Sequence, residues 1–348
     1  MRILSVLSVA AFLTGALFTT AHAGGTLEAY TGAIGGSHEC GGGAPSVIYP
    51  FFTAGQFGIP VNPMNPTSLA ACGDVGGVNY VAQSTGTASS AYALNTPVPG
   101  PANFTANTAA SAKYGIVTVG AVGTLSPDIG ADTAEAVAFG RVTDELAFNP
   151  NGTGNGVTGY VVLHFTFNGS LEMAAPYGTG DAAVEAVAEV GAPTYPAQDV
   201  LSGHIAQPGA AYVAGIENGL PGQPVPGCVT ATGSITCTNA KVSTTMYPVA
   251  FYTPTPVEFG LYVGMNPGPT VSTDPPGGEL TGITLYNAAE QEISNFTITS
   301  ASGAKYGADG IEAQPAVPEP ATWAMLIAGV TGVGAVLRRR REIGLVAA

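Results

Sequence analysis

Tyr160-Val-Val-Leu-His-Phe-Thr-Phe167 is the stretch that decides the fold. Val161, Leu163, Phe165 and Phe167 fall on one side of an extended chain, and Tyr160, Val162, His164 and Thr166 on the other. A period of two with four large apolar side chains on one face predicts a strand with a buried side. Asn168-Gly169 directly after it is a turn pair, and Asn149-Pro-Asn-Gly-Thr-Gly-Asn-Gly156 before it reads as a glycine-asparagine loop.

Working outward, shorter segments of the same character appear at Tyr114–Gly120, Thr133–Val142, Glu258–Val263, Gly282–Tyr286 and Ile293–Ser300. Ala182–Val190 suits a helix by composition, but Val184, Ala186 and Ala188 alternate with Glu185, Val187 and Glu189, which favours a strand. The chain holds 49 Gly and 27 Pro, which punctuate short apolar runs without helix caps between them. These features predict an all-β fold, an antiparallel β-sandwich of jelly-roll-like type, over residues 24–309. Its N-terminal part is glycine-rich and irregular, and residues 310–317 read as a linker. No fixed-period repeat is present, which argues against a solenoid or propeller.

Charge is distributed unevenly. Between Gly24 and Val317 the basic residues are Lys113, Arg141, Lys241 and Lys305 against 21 acidic ones, so the body carries about −17. A surface of that sign repels phosphate backbones, and nucleic acid is excluded as a partner. The ends differ from the body. Met1-Arg2, an apolar stretch from Ile3 to Phe18 and Ala21-His22-Ala23 are the three parts of a secretory leader, residues 1–23. Cleavage after Ala23 makes Gly24 the first mature residue.

At the other end, Ala321–Leu337 is an apolar run of 17 residues, about 25 Å long as a helix, the short limit for a single transmembrane span. Arg338, Arg339, Arg340 and Arg341 follow it, then a tail of residues 342–348. Basic residues stay on the cytoplasmic side, so the body belongs across the membrane from them. Before the run stand Pro318, Glu319 and Pro320, with Trp323 three positions on. Composition alone makes this an extended junction with an interfacial aromatic. Pro-Glu-Pro, the tryptophan, the glycine-rich apolar run and the arginine block together resemble the PEP-CTERM sorting signal, here residues 318–341. The resemblance implies that Pro318–Pro320 are read by an exosortase, a membrane enzyme with a cysteine-based active site in Gram-negative bacteria that make exopolysaccharide. Residues 342–348 depart from the pattern, because such signals usually end at the arginines. The body also resembles, diffusely, ectodomains found on PEP-CTERM proteins: Tyr114-Gly-Ile-Val, Phe167-Asn-Gly-Ser-Leu171, Gly282-Ile-Thr-Leu-Tyr and Phe296-Thr-Ile-Thr-Ser carry that likeness.

Four cysteines, Cys40, Cys72, Cys228 and Cys237, pass into the exported protein. An even number in an oxidising compartment predicts two disulfides, with three connectivities possible. Proximity favours Cys228–Cys237, worth ~2.7 kcal/mol by loop entropy, and Cys40–Cys72, worth ~3.7 kcal/mol. A metal site at Cys40 and His38 lacks paired Cys-x-x-Cys spacing, so no metal is expected.

No nucleophile elbow, His-Glu-x-x-His or phosphate loop is present, and no catalytic residue or cofactor is assigned. His38, His164 and His204 are read as non-catalytic. The carboxylate pairs Asp144/Glu145 and Asp181/Glu185 have the residue types of a glycosidase, but sequence adjacency does not give the spacing across a scissile bond. Acidic and asparagine loops at Asp128/Asp132 and Asn149/Asn151/Asn155 offer oxygen ligands without EF-hand spacing. The expected function is therefore a non-catalytic envelope or matrix protein. It is exported, held transiently in the inner membrane, processed by an exosortase-type enzyme, and delivered to the cell surface or to an exopolysaccharide or biofilm matrix. A carbohydrate-binding module and a secreted hydrolase are the alternatives. With Trp323 the single tryptophan and outside the body, a tryptophan stacking platform is excluded for the former.

Overall fold

The computed structural model describes residues 24–36, 74–98, 102–126, 134–174, 181–191, 198–206, 209–217, 220–266 and 271–312. Alternation of the Tyr160–Phe167 kind recurs through them and builds two antiparallel sheets of nine strands each. Sheet one contains β1 (Thr26–Gly36), β2 (Asp74–Gln83), β6 (Ala134–Pro150), β8 (Asp181–Val190), β9 (Gln198–Ala206), β10 (Ala210–Glu217), β11 (Leu220–Gln223), β15 (Thr255–Asn266) and β18 (Phe296–Ser300). Its order is β11-β10-β9-β8-β15-β6-β1-β2, with β18 also on β6. Sheet two contains β3 (Ala88–Pro97), β4 (Asn103–Lys113), β5 (Ile116–Ser126), β7 (Thr158–Met173), β12 (Cys228–Ala231), β13 (Ser234–Ser243), β14 (Tyr247–Ala250), β16 (Val271–Tyr286) and β17 (Glu292–Ile293). It runs β12-β13-β7-β16-β5-β4-β3, with β14 on β7 and β17 on β16. A short ribbon of β19 (Tyr306–Gly307) and β20 (Gly310–Ile311) closes the described chain.

The core lies between the sheets. Val161, Leu163, Phe165 and Phe167 of β7 are all buried, as the alternation predicts. Phe165 stacks on Phe259 of β15 with ring centroids 4.5 Å apart, a contact from one sheet to the other. Each such phenyl group contributes roughly 1.5–3 kcal/mol by burial. Sheet one adds small residues to the same core, Ala134, Ala136 and Ala138 on β6 and Ala182, Ala186 and Ala188 on β8, beside the large Leu146, Phe148 and Leu261. Gly140 continues that pattern; a Cβ there would come within 2.5 Å of Val117 Cγ1 on β5. Large and small side chains are mixed on the inner faces of both sheets, as close packing of an interior requires.

The ambiguous Ala182–Val190 segment is strand β8, because Ala182, Val184, Ala186, Ala188 and Val190 are the inward set, and it pairs with β15 from Ala182 opposite Met265 to Val190 opposite Val257. Asn168-Gly169, expected as a turn, is not one. Strand β7 runs through it to Met173, with β16 on one side and β13 on the other. On β13 the register slips by one residue between Cys237 and Ala240, where Asn239 has a left-handed φ of 49°. The Asn168 side chain accepts the hydrogen bond of the Asn239 backbone N–H (2.8 Å), so the asparagine serves a bulge rather than a turn. Tyr114 and Gly115, expected at the start of a strand, form the two-residue connection between β4 and β5, with φ of +77° at Gly115. Strand β20 falls within the stretch read as a linker, and the unit containing the sheets extends to Glu312.

Residues 313–348 form a separate unit. The expected transmembrane helix 321–337, the leader 1–23, Cys40, Cys72 and His38 lie outside the described residues. Among the described residues there is no helix long and apolar enough to cross a membrane.

Candidate functional site

Among the described residues, three polar clusters and two histidines bring chemically capable side chains together. The first is built on Asp144, where β6 passes from pairing with β1 to pairing with β18. Strand β1 begins at Thr26, opposite Thr143, and β18 ends at Ser300, opposite Leu146, so the backbone beside Asp144 is left between two partners. The buried Asp144 carboxylate fills that gap. Its Oδ2 accepts hydrogen bonds from Ser300 Oγ (2.7 Å), Ser302 Oγ (2.6 Å) and Tyr306 OH (3.1 Å). Its Oδ1 accepts from the N–H groups of Glu145 (2.8 Å) and Ser302 (3.2 Å). Burial, with the carboxylate beside it, pushes the Tyr306 phenol far above its ordinary range. Asp144 and Tyr306 also border an apolar cavity of about 20 Å³ lined by Leu163, Phe165 and Phe259, close to the size of one water. With five donors on its two oxygens, this carboxyl ties Ser300, Ser302 and Tyr306 to β6.

The second cluster lies on the outer face of sheet one. Arg141 of β6 reaches both ways, Nε to Glu28 of β1 and Nη1 to Glu258 of β15 (3.1 Å). Tyr80 of β2 donates its hydroxyl to the other oxygen of Glu28 (2.6 Å). Burial raises the Glu258 carboxyl to about 7, against the opposing pull of the Arg141 guanidinium. Glu189, opposite Glu258 on β8, is also raised, chiefly by burial. One guanidinium here answers several carboxylates.

The third cluster is a carboxyl pair. Glu185 of β8 and Asp199 of β9 share a hydrogen bond, and burial followed by the Asp199 charge pushes Glu185 up to about 8. The sequence offers Asp181, four residues earlier, as the neighbour of Glu185. The strand register instead turns Asp199 toward it, because a bulge between Ala186 and Val187 shifts the β8–β9 pairing. No sequence signal pointed to Asp199, since its approach depends on that shift.

His164 bridges three strands of sheet two: Nδ1 meets Ser243 Oγ (2.7 Å) and Nε2 meets Thr284 Oγ1 (2.8 Å). Burial lowers its pKa, with Glu292 opposing. His204 lies in the other sheet, edge-on to Tyr212 at 5.7 Å. Asn149 and Asn151, read as possible oxygen ligands, tie down the end of the chain instead. Asn149 Nδ2 donates to Ala147 O (3.1 Å) and Thr299 Oγ1 (3.4 Å), and Asn151 Nδ2 to Asn295 Oδ1 (2.7 Å). Asp128 and Asp132 lie outside the described residues. Among the described residues no group of three His, Cys, Asp or Glu side chains converges as metal ligands do.

Cys228 and Cys237 are bonded, as directly opposed residues of β12 and β13. Gly24, expected as the mature N-terminus, stands two residues before β1, and its carbonyl accepts the Tyr114 hydroxyl (3.3 Å). Ala21, Ala23 and the sorting residues Pro318, Glu319, Pro320, Trp323 and Arg338–Arg341 lie outside the described residues.

Comparison with known proteins speaks to that C-terminal end. Residues 316–341 match the family model of the PEP-CTERM protein-sorting motif. No curated protein sequence matches the chain. Among solved structures, the KRT10-binding region domain of the pneumococcal serine rich repeat protein PsrP aligns at 10% identity. That alignment covers 66% of this chain and 99% of that one, with a TM-score of 0.14. The infectious bursal disease virus VP2 subviral particle aligns at 9% identity over 74% of this chain and 64% of that one, with a TM-score of 0.09. At those scores neither alignment bears on the fold. The assignment therefore rests on the tail: this chain carries a PEP-CTERM protein-sorting motif, which implies an exported protein processed by an exosortase.

Proposed function

We propose that the body is a non-catalytic protein of the cell envelope or extracellular matrix, delivered by exosortase-type processing and associated with exopolysaccharide or biofilm. The observation that carries this is the sorting motif at 316–341 behind a secretory leader. In this reading residues 321–337 hold the chain in the inner membrane of a Gram-negative cell. The arginines stop translocation, and Pro318–Pro320 keep the junction extended for the enzyme. The way the body uses its polar groups supports a passive role. Asp144 is saturated by donors, His164 has a hydroxyl on each ring nitrogen, and the two described histidines lie in different sheets. Passage of the chain between sheets at β5, β6, β7 and β8, and again at β15 and β16, supports the jelly-roll-like reading.

The test replaces Pro318-Glu319-Pro320 by three alanines in the producing cell. Mass, release and location should all change, with the protein retained in the membrane fraction. Unchanged mass and release would remove the sorting step from the account. A carbohydrate-binding reading is favoured by one observation, the exposed Tyr212 ring beside His204 on the outer face of sheet one. Glycan-array binding by the mature protein that is lost in Tyr212→Ala would establish it.

A further inference from the structure

The first residues after the leader are locked into the body by residues that come last in it. Strand β1 starts two residues beyond Gly24 and at once enters the interior of sheet one, with Thr26 opposite Thr143 of β6 and Leu27 opposite Gln83 of β2. The Thr26 N–H donates to Thr143 Oγ1 (3.1 Å). Between the Ala23–Gly24 bond and that ladder stand only Gly24 and Gly25, with φ of 140° and 61°. Both values favour glycine and turn the chain away from an extended path. Gly25 is buried, and a Cβ on it would meet Tyr114 Oη at 2.5 Å, Thr143 O at 2.8 Å and Ser302 Cβ at 3.0 Å. A Cβ on Gly24 would lie 3.6 Å from Ala301 O. The Tyr114 hydroxyl shares its proton between Gly24 O (3.3 Å) and Ser84 O (3.0 Å). Ala301 and Ser302 are themselves fastened to β6, by the Ala301 N–H to Glu145 O (3.0 Å) and by Ser302 Oγ to Asp144 Oδ2 (2.6 Å). Ile311 packs on the β4–β5 connection beside Tyr114, where a Cβ on Gly115 would come within 2.6 Å of its Cγ2.

We propose that this clasp closes the leader-processing site: once it forms, the Ala23–Gly24 bond resists leader peptidase, and residues 300–311 are the part that shuts it. The proposal rests on reading residues 1–23 as a leader and not on the sorting motif. Removal of the leader adds one water across the amide, leaving a carboxylate on Ala23 and an α-ammonium on Gly24. An enzyme that performs such a cut takes the residues flanking the bond as an extended strand. Gly24 and Gly25 can extend only by releasing Tyr114 and leaving the slot between Thr143 and Ser302, and Thr26 next to them is already paired. The partners that hold them are distant in sequence, Tyr114 and Thr143 well along the chain and Ala301 and Ser302 near the end of the body. A chain exported leader first therefore keeps the bond open until the last strands of the body have crossed. The two glycines serve both states, extended for the peptidase in the unfolded chain and sharply turned in the folded one.

The test unfolds the full-length precursor in urea, dilutes it into detergent buffer, and adds leader peptidase after increasing delays. Intact mass reads the cut at Ala23–Gly24, and hydrogen exchange reads closure of residues 300–311. Cutting should be complete without delay and should disappear at the rate at which those amides become protected. Equal cutting at all delays, or resistance that appears while 300–311 still exchange freely, would overturn the proposal. Two variants separate the clasp from folding in general. Tyr114→Phe removes one hydroxyl and should speed cutting of the folded precursor about fivefold, the effect of one hydrogen bond on the open population. Gly25→Ala, barred from the slot by its methyl group, should leave the bond open at every delay. Parental resistance in both folded variants would refute the clasp. A precursor left whole even without delay would remove the leader reading, and the clasp's role with it, while leaving the sorting motif untouched.

Discussion

Replacing Asp144 by alanine isolates the clamp that fastens the last strands of the body. The carboxylate accepts three hydroxyl and two backbone donors, from Ser300, Ser302, Tyr306 and Glu145. A hydrogen bond to a charged group contributes roughly 1.5–3 kcal/mol net, and a buried donor left without a partner costs about 1–3 kcal/mol. Simple addition overstates the loss. Ser300 and Ser302 are already 2.7 Å apart and can pair with each other, and removing the carboxylate also removes its desolvation cost. The Tyr306 hydroxyl, buried against Asp144, has no such replacement. Asp144→Ala should therefore destabilise the body by about 3 kcal/mol, and Ser300→Ala by about 1 kcal/mol. Urea unfolding of the full chain gives the total. Hydrogen exchange gives the location, because amides of β18–β20 should open before those of β7 and β16. A loss under about 1 kcal/mol with unchanged exchange at 296–311 would refute the clamp.

Two further outcomes follow from the same structure. Exchanging Cys228 and Cys237 together for serine should cost ~2.7 kcal/mol of loop entropy, read as a lower urea midpoint; an unchanged midpoint would show that the β12–β13 pairing needs no link. The Glu185 carboxyl, raised by burial and by Asp199 from 4.5 to about 8, binds its proton more tightly folded than unfolded. Its contribution is present below pH ~4.5 and is lost as pH rises through about 8, so stability should fall across that window. Glu185→Gln should flatten that decline, whereas an identical pH slope in the variant would show that the pair is not its source.

What the sequence made legible was local. Tyr160–Phe167 announces its buried face because four large side chains keep strict alternation, and the structure buries all four. Asn168-Gly169 misleads for a physical reason. Its turn propensity is a short-range preference, and pairing with both β16 and β13 outweighs it, leaving Asn168 to satisfy the bulge at Asn239. The polar clusters were illegible as clusters. Asp144 meets Ser300 and Ser302 from 156 and 158 residues away, and Arg141 joins Glu28 and Glu258 from 113 and 117. Such partners are fixed by strand order, which no local pattern encodes. The sorting motif was readable, and the family match over residues 316–341 agrees, because its chemistry is carried by adjacent residues: a proline-framed glutamate, an aromatic, an apolar run and four arginines.

The central claim concerns the fate of the two ends, and the intact mass of the protein recovered from the producing cell tests it most directly. The account predicts an N-terminus at Gly24 and loss of Arg338–Arg341 with the apolar run before them. It also predicts that the longer C-terminus persists in a cell lacking the exosortase. A released protein whose mass still includes residues 321–348 would contradict it.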